Sequence, residues 1–297
     1  MDPHALDALW REACDSGAHA NAVGPLREAI AADPELPGLH FMLGVCLQGL
    51  ARYDDAHASF REALRLRLRD EARPDAPPPA GPAVPVPGTT LVCVDCRNHE
   101  LAISALRRSM AQCRFERVLF LTDRPFDLPG IELARIPDIA SIADYSRFML
   151  KALVDYIETA FVLVIQYDGY ILNGRRWEPA FHDYDYIGAP WGRASGVGNG
   201  GFSLRSRHLM QALRDPRITE LVPEDIAICE TYRGLLEERG VRFAPLKLAQ
   251  RFSFETLTPP APTLGFHGIT HLVRTVDMNE EELAAYRPPP MVTWERT

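Results

Sequence analysis

Residues 161–170 read Phe161-Val162-Leu163-Val164-Ile165-Gln166-Tyr167-Asp168-Gly169-Tyr170. Five consecutive apolar residues rich in β-branched types make a strand with both faces buried. The polar Gln-Tyr-Asp-Gly that follows ends it. Upstream stand two similar runs, Thr90–Val94 and Arg117–Leu121, and downstream a third, Tyr184–Gly188. Between them, His99–Met110 and Asp144–Glu158 have helical periodicity. In the second helix Tyr145, Phe148, Met149, Ala152, Leu153, Tyr156 and Ile157 fall on one face. Strands alternating with helices imply a mostly parallel, doubly wound α/β sheet. Ligands in such sheets sit beyond the carboxyl ends of the strands, so the residues just after each run are the candidates for chemistry.

Those residues are distinctive. Asp95 follows the first run and Thr122-Asp123 the second. Gln166-Tyr167-Asp168-Gly169 follows the third. Asp185-Tyr186-Ile187-Gly188-Ala189-Pro190-Trp191 then leads to Gly198-Asn199-Gly200-Gly201-Phe202-Ser203-Leu204-Arg205. Pro223-Glu224-Asp225 and Gly265-Phe266-His267-Gly268 come later. Each has a bland reading by itself. Asp-Gly and Asn-Gly are turn signals. Pro-Glu-Asp is a good helix start. A single histidine is usually a hydrogen-bonded structural residue, and Arg147 with Lys151 makes a solvated helix face.

The combination resembles the GT-A glycosyltransferases, and more closely a set of bacterial and fungal glycosyltransferase-like domains that carry these blocks. The resemblance covers roughly residues 89–275. It implies transfer of a sugar from a UDP- or GDP-sugar donor to an acceptor hydroxyl. In that superfamily an Asp-x-Asp motif holds the divalent ion bridging the donor diphosphate. Here the motif is Gln166-Tyr167-Asp168, with an amide in place of the first carboxylate. Asp168 and His267 are then the expected metal ligands, with Mn²⁺ favoured over Mg²⁺ by the imidazole. The resemblance assigns Asp225 as general base, Glu224 as its orienting neighbour, and an inverting outcome. Asn199, Gly200 and Gly201 are expected beneath the sugar, Trp191 stacked on it, and Gln166 on ribose or a metal-bound water. Arg147 and Lys151 would reach the diphosphate; Asp95 and Asp123 are unranked candidates for base or ribose binding.

The front of the chain is different. A shift of 34 residues aligns Leu9 with Leu43, Ala22 with Ala56, Leu26 with Phe60 and Ala29 with Ala63. With Pro34 and the small Gly44, the pattern resembles two tetratricopeptide repeats, an all-α unit over residues 1–70. Two such units are fewer than usually stand alone. They therefore lean on the following domain, a second copy of the chain or a partner, and a protein or peptide acceptor held by the repeats is one expectation. Residues 71–88 contain seven prolines in eighteen positions and read as an extended linker before a transferase domain at 89–297.

Composition narrows the alternatives. Net charge is −8, from 32 basic and 40 acidic residues, which disfavours nucleic-acid phosphates and anionic membranes as partners. No apolar run reaches the ~18 residues of a membrane span. Met1-Asp2-Pro3-His4 lacks a signal-peptide layout, and the six cysteines show no framework spacing, so a cytoplasmic location is expected. Cys93 and Cys96 read as core thiols. Lys151 and Lys247 are the only lysines, a bias typical of GC-rich bacterial genomes. Two other readings compete. A nucleotidyltransferase would want a glycine-rich phosphate loop after the first strand, where Asp95-Cys96-Arg97-Asn98 stands instead. A non-catalytic scaffold with a degenerate transferase domain draws its support from Gln166.

Overall fold

Burial of the apolar runs dictates a layered arrangement. The computed structural model describes residues 3–73, 83–192 and 196–288. The chain divides into two compact units, Met1–Arg73 and Pro74–Thr297.

The first unit is four helices, α1 (Pro3–Ser16), α2 (Ala20–Ala32), α3 (Pro37–Gly49) and α4 (Tyr53–Leu68). Each packs on the one before it. Ala22, Leu26, Cys46, Leu47, Ala56 and Phe60 form the interior. A β-carbon on Gly44 would fall 2.6 Å from the Phe60 ring, so glycine is what lets α3 and α4 approach.

The second unit is built on a six-stranded sheet in the order β3-β2-β1-β4-β6-β5. Its strands are β1 (Val84–Val94), β2 (Cys113–Thr122), β3 (Glu132–Arg135), β4 (Phe161–Ile165), β5 (Tyr186–Gly188) and β6 (Phe202–Ser206). The four from β3 to β4 are parallel, while β6 runs antiparallel to both β4 and β5. From β1 the chain passes through α5 (His99–Gln112) to β2 on one side, and later returns to β4 on the other. The strand order therefore reverses between β1 and β4, where an open α/β sheet leaves a crevice. Val92, Val94, Leu119, Leu121, Val162 and Val164 share one face with Met149, Leu153, Val154 and Ile157.

Two expectations need correction. The segment Asp144–Glu158 is not one α-helix. It is α6 (Ile142–Arg147), a π turn over Phe148–Ala152 and a 3-10 turn over Leu153–Tyr156. A π turn inserts a residue and re-phases the faces, so Val154 joins the core and Lys151 no longer lies above Arg147. The linker also ends earlier than its prolines suggest. Residues 74–82 lie outside the described residues, but β1 begins at Val84, with Val84, Pro85 and Val86 paired to Cys113, Arg114 and Phe115. Proline fits there because the extended φ suits it and a register break between Val86 and Thr90 interrupts the ladder.

Several shorter elements complete the unit: α7 (Arg207–Ala212), α8 (Glu224–Ile226), α9 (Arg233–Glu238), α10 (Leu246–Phe252), β7 (Ser253–Phe254), β8 (Gly265–Phe266), α11 (Ile269–Thr275) and α12 (Glu280–Ala285). No helix is long and apolar enough to cross a membrane, among the described residues. Val86 is only 1% exposed, so Val86→Ala deletes two buried carbons at about 0.8 kcal/mol each. The full chain is expected to lose about 1.6 kcal/mol in chemical unfolding; no loss would return residues 84–88 to the linker.

Candidate functional site

The antiparallel strand β6 decides where the motifs meet. Because it runs against β4, the glycine turn that precedes it arrives at the edge where β4 ends. The Gln166 N–H donates to the Gly201 carbonyl at 2.9 Å, joining the two blocks directly. Gly169 closes a tight turn on Gln166 through its N–H at 3.2 Å. A β-carbon on Gly169 would stand 2.5 Å from the Phe266 carbonyl, so only glycine lets the Asp168 turn lie against β8. The small parallel pair β7–β8 then sets Glu255 and His267 side by side, the His267 N–H donating to the Phe254 carbonyl at 3.0 Å.

His267 is the hub. Its Nε2 lies 3.0 Å from Gln166 Oε1 and 3.2 Å from Asp168 Oδ1. Its Nδ1 lies 3.0 Å from Glu255 Oε1 and 3.0 Å from Asn199 Nδ2. Burial by itself would lower the imidazole pKa, but the Asp168 and Glu255 carboxylates outweigh it and hold the ring well above its ordinary value. Asp168 Oδ1 is buried and accepts no well-formed hydrogen bond. The cation that faces this buried anionic oxygen is the His267 imidazolium, 3.2 Å away.

Next to this cluster a cleft of about 320 Å³ opens at the switch between β1 and β4. Asp95, Gln166 and Glu224 border it, with Arg97, Ser141 and Tyr145. Asp95 is committed to the chain: its Oδ1 accepts from the Arg97 N–H at 2.6 Å and the Asn98 N–H at 2.5 Å, anchoring the entry to α5. Burial raises its pKa, and those hydrogen bonds counter the rise. Glu224 is buried and pairs with Arg205 at 3.2 Å. Desolvation raises its pKa against the pull of that guanidinium. Asp225 accepts instead from the Gly200 N–H at 3.3 Å, latching the glycine turn.

Several expected residues stand elsewhere or do other work. Asp123 accepts from His99 Nε2 at 2.8 Å and is absent from the cleft lining. Lys151 donates to the Leu213 and Asp215 carbonyls at 2.6 and 3.2 Å, which corrects its expected reach to a diphosphate. Arg147 is exposed and does not border the cleft. The missing β-carbons of the glycine turn make room for the protein's own side chains. A β-carbon on Gly200 would fall 2.1 Å from Glu224 Oε1, and one on Gly201 2.2 Å from His267 Nε2. Asn199 takes φ +45°, a left-handed conformation asparagine tolerates, and its Oδ1 accepts from the Phe202 N–H at 3.2 Å. It is 3% exposed, which leaves its amide inside the fold. Trp191 is half-buried against Gly198, where a β-carbon would fall 2.1 Å from the indole.

Three further residues shape the site. Glu255 had no signal, since only the β7–β8 pairing brings it to His267. Tyr145 falls on the apolar face of its helix and borders the core cluster, yet it also lines the cleft. Arg205 did carry a signal: a charge one residue after Leu204 in a fully buried strand must be paired.

Residues 130–267 match the profile of a family described as a protein of unknown function, DUF5672. That stretch contains Gln166, Asp168, the glycine turn and Glu224-Asp225, and it ends on His267. No curated protein matches the chain. Among solved structures, the chain is similar to an O-GlcNAc transferase mutant from Thermobaculum terrenum at 17% identity, over 50% of this chain and 37% of that one, with a TM-score of 0.21. The matched region thus spans little more than a third of that transferase.

Gly201→Ala is expected to displace the His267 ring and cost about 1–3 kcal/mol, the usual penalty for overpacking. An unchanged unfolding midpoint and unchanged imidazole resonances would contradict it. The raised His267 pKa also predicts a pH dependence. A group whose folded pKa exceeds its unfolded value stabilises the fold fully below the unfolded pKa, about 6.5 for histidine. That contribution is lost as pH rises through the elevated folded value. In chelator, stability is expected to decline on the alkaline side of pH ~6.5, and His267→Gln is expected to flatten that limb.

Proposed function

We propose that the second unit is a metal-assisted glycosyltransferase acting on a nucleotide-sugar donor. The observation that carries the reading is the pairing of a buried carboxylate oxygen, Asp168 Oδ1, with His267 Nε2 at 3.2 Å beside the cleft at the sheet's switch point, two ligand atoms that one divalent ion could bridge in place of the shared proton. Asp168 and the Nε2 of His267 are the residues that would hold a divalent cation, with Gln166 adjacent. Glu255 supports this by accepting from Nδ1–H, so that Nε2, once a metal displaces its proton, is the ligating nitrogen. When bound, Mn²⁺ or Mg²⁺ would neutralise charge developing on the leaving diphosphate.

The chain's own residues supply the rest. The acid of the Glu224-Asp225 pair that borders the cleft is Glu224, so the base role passes to it from Asp225. Desolvation makes its carboxylate more basic, as proton abstraction from an acceptor hydroxyl requires. Arg205 keeps it ionised and oriented, and Asp225 holds the glycine turn in place. Attack from the face opposite the leaving group inverts the anomeric centre. The four front helices fit a tetratricopeptide-like platform for a peptide or protein acceptor. A scaffold reading is favoured by one observation, the occupation of Gln166 by His267.

Titration of UDP- and GDP-sugars with and without Mn²⁺ separates the two. Asp168→Asn is expected to abolish Mn²⁺-dependent donor binding. Glu224→Gln is expected to keep donor binding and lose roughly 10²–10⁴ in turnover, the usual worth of a positioned base. If Asp225→Asn shows that pattern instead, the base is Asp225. If no nucleotide sugar binds with any metal, the transferase reading fails.

A further inference from the structure

Three side chains far apart in sequence meet inside the unit Met1–Arg73. Cys14 lies near the end of α1, His19 immediately precedes α2, and Cys46 lies in α3. The two Sγ atoms and one imidazole nitrogen all lie within 4.8 Å of one another. Among the described residues this is the one group of three His, Cys, Asp or Glu side chains in which one ligand atom from each lies within that distance of the other two.

The local structure explains the meeting. Gly17 takes φ +74°, reversing the chain after α1 and returning His19 toward the helices. Gly49 stands one turn after Cys46 in α3 and shares its face. A β-carbon on Gly49 would fall 2.1 Å from His19 Cδ2, so the glycine is what admits the ring. The Cys46 thiol hydrogen-bonds Cys14, and burial raises both thiols, Cys46 to about 11. His19 Nδ1 is buried and has no hydrogen-bond partner. A buried ring nitrogen left alone is costly and needs an explanation.

We propose that Cys14, Cys46 and His19 form a binding site for a thiophilic cation, Zn²⁺, with the fourth position open to water or an external ligand. Two sulfurs and an imidazole suit zinc and disfavour Mg²⁺ or Mn²⁺. With Zn–S about 2.3 Å and Zn–N about 2.0 Å, ligand atoms around zinc stand roughly 3.5–3.8 Å apart. The observed spacing reaches this with a small inward closure. Binding displaces the thiol protons to solvent as the two Zn–S bonds form. The ion then ties α1, the turn after it and α3 at one point, a staple of the kind small helical units use. This donor set is soft, where Asp168 and His267 are hard, so the proposal stands apart from the transferase reading.

The test uses the full chain, reduced and stripped with chelator, titrated with Co²⁺ as a spectroscopic stand-in. One equivalent is expected to produce a thiolate-to-cobalt charge-transfer band that Zn²⁺ bleaches. Zn²⁺ is also expected to raise the unfolding temperature of the chain. Cys14→Ser is expected to abolish the band and His19→Gln to abolish stoichiometric uptake. Cys14 is half-buried, so its serine variant is expected to fold, checked by circular dichroism, where Cys46→Ser in the core is less secure. His267→Ala is expected to retain the band, because oxygen and nitrogen ligands give no thiolate transition. Absence of the band, or its survival in Cys14→Ser, overturns the proposal. So does a reduced chain that takes up no Zn²⁺ and closes a Cys14–Cys46 disulfide in air.

Discussion

A guanidinium with no exposed surface sits within the sheet of the second unit, and the candidate site depends on it. Arg205 on β6 donates to Glu224 Oε1 and the Gly200 carbonyl, each at 3.2 Å, and to Ser203 Oγ at 3.0 Å. The Tyr186 ring lies 5.8 Å away. A charge buried this deeply costs several kcal/mol unless it is paired and hydrogen-bonded. Pairing it through Nε and Nη2 therefore fixes three things together: the path of the glycine turn, the start of α8, and the side chain of Glu224. The turn in turn fixes Gly201, and through Gly201 the end of β4 and the seat of His267.

Much of this layout is legible in the sequence, for physical reasons. The apolar runs mark buried strands because desolvation is the dominant force on them. The polar residues after Ile165 and before Phe202 stand out because a parallel sheet exposes only its ends. Asp168 and His267 are legible as a pair through resemblance and adjacent through structure. What sequence pattern does not carry is contact at long range. Glu255 reaches His267 through β7 and β8, strands of two residues each. Lys151 departs from its expected place because a single π turn, invisible to periodicity, rotates it away from Arg147. The start of β1 was hidden by prolines that a broken register accommodates.

The glycines show the same limit. Sequence reading takes a glycine-rich turn as room for a ligand. At Gly200 and Gly201 the room is already used by Glu224 and His267, so the turn works as a mould for the protein's own acid and imidazole. Cys14 and Cys46 illustrate it again: 32 residues separate them, and only the packing of α1 on α3 reveals that they share a neighbourhood.

The hub histidine has a consequence for how the protein comes into being. Gln166 and His267 are 101 residues apart, and their contact closes the cluster. During synthesis the parallel sheet can gather its strands as they emerge, with β6 added by residue 206. Asp168 then waits beside an incomplete pocket until roughly sixty further residues have been translated. A nascent or prematurely ended chain therefore carries a nearly finished sheet and no assembled cluster. The centre is therefore completed only when the last of its residues, His267, has been translated.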